Sequence, residues 1–252
     1  PPPAPWTLRC GIGSGITLDA RADSELREWR AKQAFLQRAK QPFQLLESLR
    51  LEDGQVARMD GHLQRLAASA AHFNWPWDAH WAQRAHQHLA DTAQAHPHGL
   101  FKLRLLLDVR GGIDVQVAPL QTPSEACLPV ALADRPMPEA DDFIRHKTTQ
   151  REAYAAVPAP TGCFDTLLHN AAGELTEFTI GNVAVNLNGQ WCTPPLSAGL
   201  LPGVMRASLL AEGRLQERRL SLADLSRAEG LALINSVRGW VDVRLAPPAQ
   251  PA

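Results

Sequence analysis

Lysine is scarce in this sequence. Of 25 basic residues only Lys32, Lys40, Lys102 and Lys147 are lysines; the other 21 are arginine. Chemistry that needs a primary amine therefore has few places to go. Positive charge is not in excess either. The net charge is -1 and the pI is about 6.9, so nothing points to a nucleic-acid backbone as partner. No apolar run approaches the roughly 20 residues that a membrane-spanning helix needs, so no membrane is expected. The Pro-rich start, Pro1–Pro5, lacks the basic-then-apolar order of a secretory signal. Cysteine is limited to Cys10, Cys127, Cys163 and Cys192, scattered without metal-ligand spacing. In a chain this long they read as free thiols of a reducing compartment, which makes the cytoplasm the expected location and gives no metal site. The sequence holds no internal repeat.

What is present is a chain of 252 residues, 45% hydrophobic, enough for one large domain or two modest ones. Cys10–Thr17 is glycine-rich and strand-like, and Asp23–Lys40 has helical spacing with Leu26, Trp29, Phe35 and Leu36 near one face. Phe43–Leu51 reads as a strand. Asp60 looks like the N-cap of a helix whose apolar stripe is Leu63, Leu66, Ala67, Ala70 and Phe73. A second helix is expected over Asp78–Ala95, then strands at Leu100–Val109 and Ile113–Ala118, so this first unit reads β-α-α-β-β. The prolines of Pro119–Pro138 suggest a linker in its later part. Beyond it the pattern predicts a short helix at Thr148–Ala156 and strands near Thr166–His169, Thr179–Leu187, Gly189–Cys192, Gly230–Ile234 and Gly239–Leu245. Asn170–Gly173 suits a hairpin turn, Pro202-Gly203 opens a helix, and Ser221–Asp224 begins a shorter one.

Four separated features carry chemistry. In Phe143-Ile-Arg-His-Lys-Thr-Thr149, a lysine at the edge of a short apolar strand can be partly desolvated, which lowers its amine pKa as Schiff-base chemistry requires. Thirty residues on, Glu177 precedes a strand containing Asn182; a carboxylate beside a pyridine nitrogen keeps that nitrogen protonated. Leu200-Leu-Pro-Gly-Val-Met-Arg206 leads proline and glycine into a helix whose first amides can bind an anion. Arg65, one turn beyond His62, can clamp a phosphate by paired hydrogen bonds. Each feature alone has a bland counterpart: a solvated lysine, a strand-end glutamate, an ordinary helix entry, a surface arginine. Their order is what combines them.

In that order they resemble the class IV aminotransferases, the family of branched-chain and D-amino-acid aminotransferases and of 4-amino-4-deoxychorismate lyase. The family pattern of Glu, four residues, Asn, a Thr and a Leu-x-Gly-x-x-Arg stretch falls here on Glu177, Asn182, Thr193 and Leu201-Pro-Gly203-Val-Met-Arg206. The resemblance spans about Phe43 to Leu245. It implies an α+β, two-domain fold like that of D-amino-acid aminotransferase (PLP fold type IV), with a small N-terminal α/β domain and a larger C-terminal one. It implies pyridoxal 5'-phosphate (PLP) as cofactor, with Lys147 carrying it, Glu177 at the pyridine nitrogen, and Arg65 with the Val204 and Met205 amides at the phosphate. Ser236, in Ile234-Asn-Ser-Val-Arg238, falls in the family's late phosphate and substrate loop. Arg104, Val237 and Arg238 are implied as substrate contacts.

The start of the chain narrows the choice within the family. Gly11-Ile-Gly-Ser-Gly-Ile-Thr17, followed by Glu25, Glu28 and Lys32 on one helical face, resembles the C-terminal end of chorismate-using synthases. The expected organisation is residues 1–40 as a synthase remnant, 41–133 as the small domain and 134–252 as the large PLP-binding domain. On the resemblance, the chain is the C-terminal part of a fused aminodeoxychorismate synthase–lyase that forms 4-aminobenzoate and pyruvate for folate synthesis. Its expected partners are a small-molecule substrate, a second copy of itself in a homodimer, and the synthase domain. The alternatives are transamination of a branched-chain or D-amino acid on the same site, and an inactive fragment that only binds PLP.

Overall fold

The computed structural model describes Ala22 and residues 42–122, 125–138 and 141–247. The glycine-rich segment, the Asp23–Lys40 helix and the synthase-like remnant lie outside the described residues. The compact unit Gln44–Ala252 holds two sheets.

The first sheet has the order β2-β1-β3-β4. It comprises β1 (Leu45–Glu52), β2 (Gln55–Val56), β3 (Leu100–Leu107) and β4 (Ile113–Pro119), with α1 (Met59–His72) and α2 (Ala79–Ala95) between β2 and β3. Strand β1 alternates: Leu45, Glu47, Leu49 and Leu51 are buried on one face. Strand β3 pairs with β1 antiparallel, with Ser48 opposite Arg104 and Arg50 opposite Lys102. Cross-strand partners share a face, so Lys102 and Arg104 stand on the side of Leu46 and Ser48, opposite Leu45, Leu49 and Leu51. Helix α2 is capped by Asp78, whose carboxylate accepts from the His80 and Trp81 amides. Helix α1 begins differently from expectation. Arg58, in the left-handed region, is its N-cap, and Asp60 sits in the first turn. The α1 residues that become buried are His62, Leu66, Ser69 and Ala70. Two of these are polar, so the buried stripe is rotated from the apolar one read in the sequence.

The second sheet has eight strands, ordered β10-β9-β8-β11-β12-β5-β6-β7. They are β5 (Leu128–Leu132), β6 (Asp165–His169), β7 (Leu175–Phe178), β8 (Asn182–Leu187), β9 (Gln190–Thr193), β10 (Gln216–Glu217), β11 (Gly230–Asn235) and β12 (Gly239–Leu245). Strand β7 also pairs with β8 through Glu177 and Asn182, so the sheet curls round and closes a ring. Phe178, Leu167, Leu175, Val183, Val185 and Leu233 fill its core. The helices associated with it are α3 (Asp142–Arg145), α4 (Glu152–Ala155) and α5 (Val204–Ala211). The expected hairpin turn is present: Asn170 N–H donates to Glu174 O and Gly173 N–H to Asn170 O.

Two expectations need correction. The later part of the proline-rich stretch is not simply linker, because β5 lies inside it and pairs parallel with both β12 and β6. Leu128 and Val130 are buried, and Pro129, which brings no N–H, lies between them with its side chain facing the other way. The second sheet therefore recruits residues before 134, and the boundary at 133 cuts through the connection rather than around the sheet. The helix expected at Thr148–Ala156 shortens to α4, because Thr148 forms a bridge to Leu45.

Candidate active site

The site grows from the one polar side chain on the leucine face of β1. Glu47 is 1% exposed. Its Oε1 accepts from Arg65 Nε at 2.9 Å, and its Oε2 accepts from Arg65 Nη2 at 2.5 Å. Its Oε2 also lies 2.7 Å from His62 Nδ1. A carboxylate can only accept, so Nδ1 carries the hydrogen, and His62 Nε2 is left buried without a partner among the described residues. Burial alone would raise the Glu47 carboxyl; Arg65 and His62 outweigh it and hold it at about 2. Burial pushes the His62 imidazole down, against the pull of Glu47. Arg65 Nη1 also donates to Pro202 O at 3.0 Å, tying α1 to the loop ahead of α5.

Lys147 follows α3 in a short extended segment stitched to β1. Leu46 N–H donates to Lys147 O, and Thr149 N–H to Gln44 O, both at 2.9 Å. The lysine is thus held by backbone pairing on either side, not placed at the edge of an apolar strand. Its amine makes no hydrogen bond or ion pair with another described residue. Burial, then the Arg65 and Arg151 cations, push that amine down to about 7, against Glu47 and Glu177. The neutral amine thus comes within reach at neutral pH.

Glu177, on β7, closes the opposite side. Tyr154 donates to its Oε1 at 2.7 Å and Asn182 Nδ2 to its Oε2 at 3.3 Å. Asn182 Nδ2 also donates to Leu201 O at 2.9 Å. Burial raises the Glu177 carboxyl to about 7 despite the Tyr154 bond and the Lys147 and Arg151 charges. Burial and Glu177 hold the Tyr154 phenol far above its usual range, so it stays a donor.

Lys147 and Glu177 line one cavity of about 270 Å³, and so does the start of α5. No side chain caps that helix at Gly203, so its first amides keep their hydrogens available. A Cβ on Gly203 would lie 1.8 Å from Asn182 Oδ1, and glycine is what permits this approach. Lys102, Arg104, Arg151 and Arg238 also line the cavity, whereas Glu177 is its only lining acid among the described residues. Crowding shows at Lys102, whose amine is lowered by burial and then by Arg104, Arg238 and Arg151.

The family model for amino-transferase class IV matches residues 44–246. The chain belongs to the class IV aminotransferases. A Schizosaccharomyces pombe member named "Putative aminodeoxychorismate lyase" is 34% identical over 199 residues, covering 75% of this chain and 84% of that protein. A Mesorhizobium loti structure described as a "Putative amino-acid aminotransferase" is 34% identical, with a TM-score of 0.74, covering 81% of this chain and all of that one. The 4-amino-4-deoxychorismate lyase of Pseudomonas aeruginosa, at 22% identity and a TM-score of 0.65 over 80% of this chain and 82% of its own, shares the fold. The two sheets are the α+β arrangement of fold type IV.

Class IV aminotransferases are PLP-dependent, and the residues present suit that group. The cavity offers an amine with no partner, a buried carboxylate facing it, and an uncapped helix start beside an arginine. The residues that the resemblance implied as cofactor or substrate contacts line this cavity: Lys147 and Glu177; Arg65 with Val204 and Met205; Ser236, Val237 and Arg238 on the β11–β12 turn; and Arg104 on β3. Thr193 and Arg206 of the family pattern are not among its lining residues: Thr193 Oγ1 donates to Val183 O and Arg206 Nη2 to Pro194 O, while Glu25, Glu28 and Lys32 lie outside the described residues. The turn is shaped by Asn235, whose Oδ1 accepts from the Val237 and Arg238 amides. Sequence reasoning missed Glu47, Arg151 and Tyr154. A glutamate in phase with Leu45, Leu49 and Leu51 was a signal for the first. The other two lie four and seven residues past Lys147, with nothing local to mark them.

Proposed function

We propose that the chain is a PLP-dependent lyase that converts 4-amino-4-deoxychorismate to 4-aminobenzoate and pyruvate. The observation that carries the PLP-dependent chemistry is the unpartnered Lys147 amine in the same cavity as Glu177, its pKa pushed down to about 7 by burial and neighbouring cations. The S. pombe relative's name supports the lyase reading.

Lys147 would hold PLP, which would supply an electron sink once the substrate nitrogen takes the lysine's place and frees its amine. Arg65 and the Val204 and Met205 amides hold the phosphate oxygens, with Ser236 beside them. Glu177 holds a proton at the pyridine nitrogen. The Lys147 amine takes the proton from the ring carbon that bears the substrate amino group. The electron pair left behind returns to expel the enolpyruvyl oxygen, the C–O bond breaks, and the ring becomes aromatic. Enolpyruvate then gains a proton at carbon to give pyruvate. Arg104 and Arg238 orient the substrate carboxylates, with the Val237 side of the β11–β12 turn beside them. We place this enzyme in the cytoplasm as a homodimer and read residues 1–40 as the end of a fused synthase domain.

Transamination of an amino acid on the same residues is the second reading, favoured by the M. loti likeness. Supplying aminodeoxychorismate and following pyruvate separates the two. Pyruvate release that needs PLP and is lost in Lys147→Ala supports the lyase. A silent assay with active amino-group transfer from glutamate overturns it.

A further inference from the structure

Arg151 is the cation in the cavity with the most fixed seat and no acid to answer it. It ends the extended segment four residues past Lys147, and Tyr154 follows one helical turn later. Its guanidinium carbon stacks 4.4 Å over the Tyr154 ring, and its Nη2 donates to Thr179 O at 2.5 Å. The acceptor is itself anchored. Asp165, 2% exposed, takes the Thr179 hydroxyl at 2.5 Å and the Ile180 amide at 3.2 Å. On its other side the Tyr154 hydroxyl reaches Glu177. No carboxylate among the described residues pairs with Arg151, whereas Arg65 is matched by Glu47.

We propose that Arg151 is a positioning residue for both working groups of the site. Seated on Thr179 and stacked on Tyr154, it fixes the hydroxyl that holds Glu177 and sets an unneutralised positive charge in the same cavity as Lys147. The proposal rests on reading Lys147 and Glu177 as the working pair. The charged and titratable groups that bear on the Lys147 amine are the Arg65 and Arg151 cations, the Glu47 and Glu177 carboxylates and the His62 imidazole. Both cations push the amine down, and Arg151 is the one that no carboxylate among the described residues pairs with directly. The cation–π contact needs a planar guanidinium to keep its geometry, whereas the effect on Lys147 needs only charge. The two limbs can therefore be separated.

The test uses the full chain freed of PLP and carrying isotope-labelled lysine, in which four lysines give a simple NMR spectrum and Lys147→Met assigns the signal. The wild-type Lys147 midpoint is expected at about 7. Arg151→Gln should raise it by about 1 pH unit, and Arg151→Lys, which keeps the charge, should restore most of the difference. Unaltered thermal melting certifies the fold of each variant. In the PLP-loaded chain, Tyr154→Phe strips Glu177 of a donor and should move the pH dependence of the cofactor's visible absorbance. A Lys147 midpoint that stays in place in Arg151→Gln, or an absorbance indifferent to Tyr154→Phe, overturns the proposal. If the wild-type chain retains no PLP, the reading of function fails, and the Lys147 titration alone decides the positioning role.

Discussion

Glu47→Gln keeps the shape of the side chain and deletes its charge. In the wild type that carboxylate is 1% exposed and accepts from two Arg65 nitrogens and from His62. Its carboxyl falls from 4.5 to about 2, burial opposing the change and Arg65 and His62 driving it. A span of about 2.5 pH units corresponds to about 3 kcal/mol of folding stability at neutral pH. Removing one partner of a buried pair costs about 3–5 kcal/mol, the same scale. A carboxyl depressed by folding contributes in full above its unfolded value of 4.5 and loses that contribution as pH falls toward 2. About 1 kcal/mol is gone by pH 4 and about 2 kcal/mol by pH 3. Urea unfolding followed by tryptophan fluorescence should therefore show the variant about 3 kcal/mol less stable at pH 7, with the gap narrowing by about 1 kcal/mol at pH 4. A gap below about 1 kcal/mol at pH 7, or one that ignores pH, would refute the idea that Glu47 acts through its charge.

Two further outcomes follow from the same geometry. Lys147→Met should stabilise the cofactor-free chain, because an amine lowered from 10.5 to about 7 costs stability in full below pH 7 and ceases to cost it as pH rises toward 10.5. The gain at neutral pH should be on the order of 2 kcal/mol once cavity water is allowed for, and a lower Tm in the variant contradicts it. Gly203→Ala puts a methyl 1.8 Å from Asn182 Oδ1. It should cost about 1–3 kcal/mol and weaken PLP retention, and unchanged melting with full PLP content would show that Asn182 can give way freely.

The parts of the fold that were legible are those in which local pattern and tertiary context agree. Asp78 caps the helix it precedes, Asn170–Gly173 turns a hairpin, and Pro202-Gly203 opens α5. Where they disagree, the sequence misleads. Strand β5 hides among prolines because Pro129 can lie in a strand when its missing N–H is not needed. Strand β7 is four residues long and buried throughout, too short to show a period beside its turn. For the site, the order of Lys147, Glu177, Asn182 and Gly203 was readable because it is fixed along the chain. The supports were not, because each joins distant segments: Glu47 to Arg65, Arg65 to Pro202, Arg151 to Thr179. Partners so far apart leave no spacing to read.

The ring of the second sheet is fastened by one rung, and that rung is Glu177 opposite Asn182. The clasp of the hoop is thus also the face turned to the ligand, so the chemistry at Glu177 is as hard to alter as the sheet is to open. The other wall is built differently. Lys102 and Arg104 project from β3, in the separate four-stranded sheet, and close no ring. On the proposed function, side chains exchanged there would change which substrate is held while the clasp stays untouched, so reaction centre and specificity wall sit on separately closed parts of the scaffold.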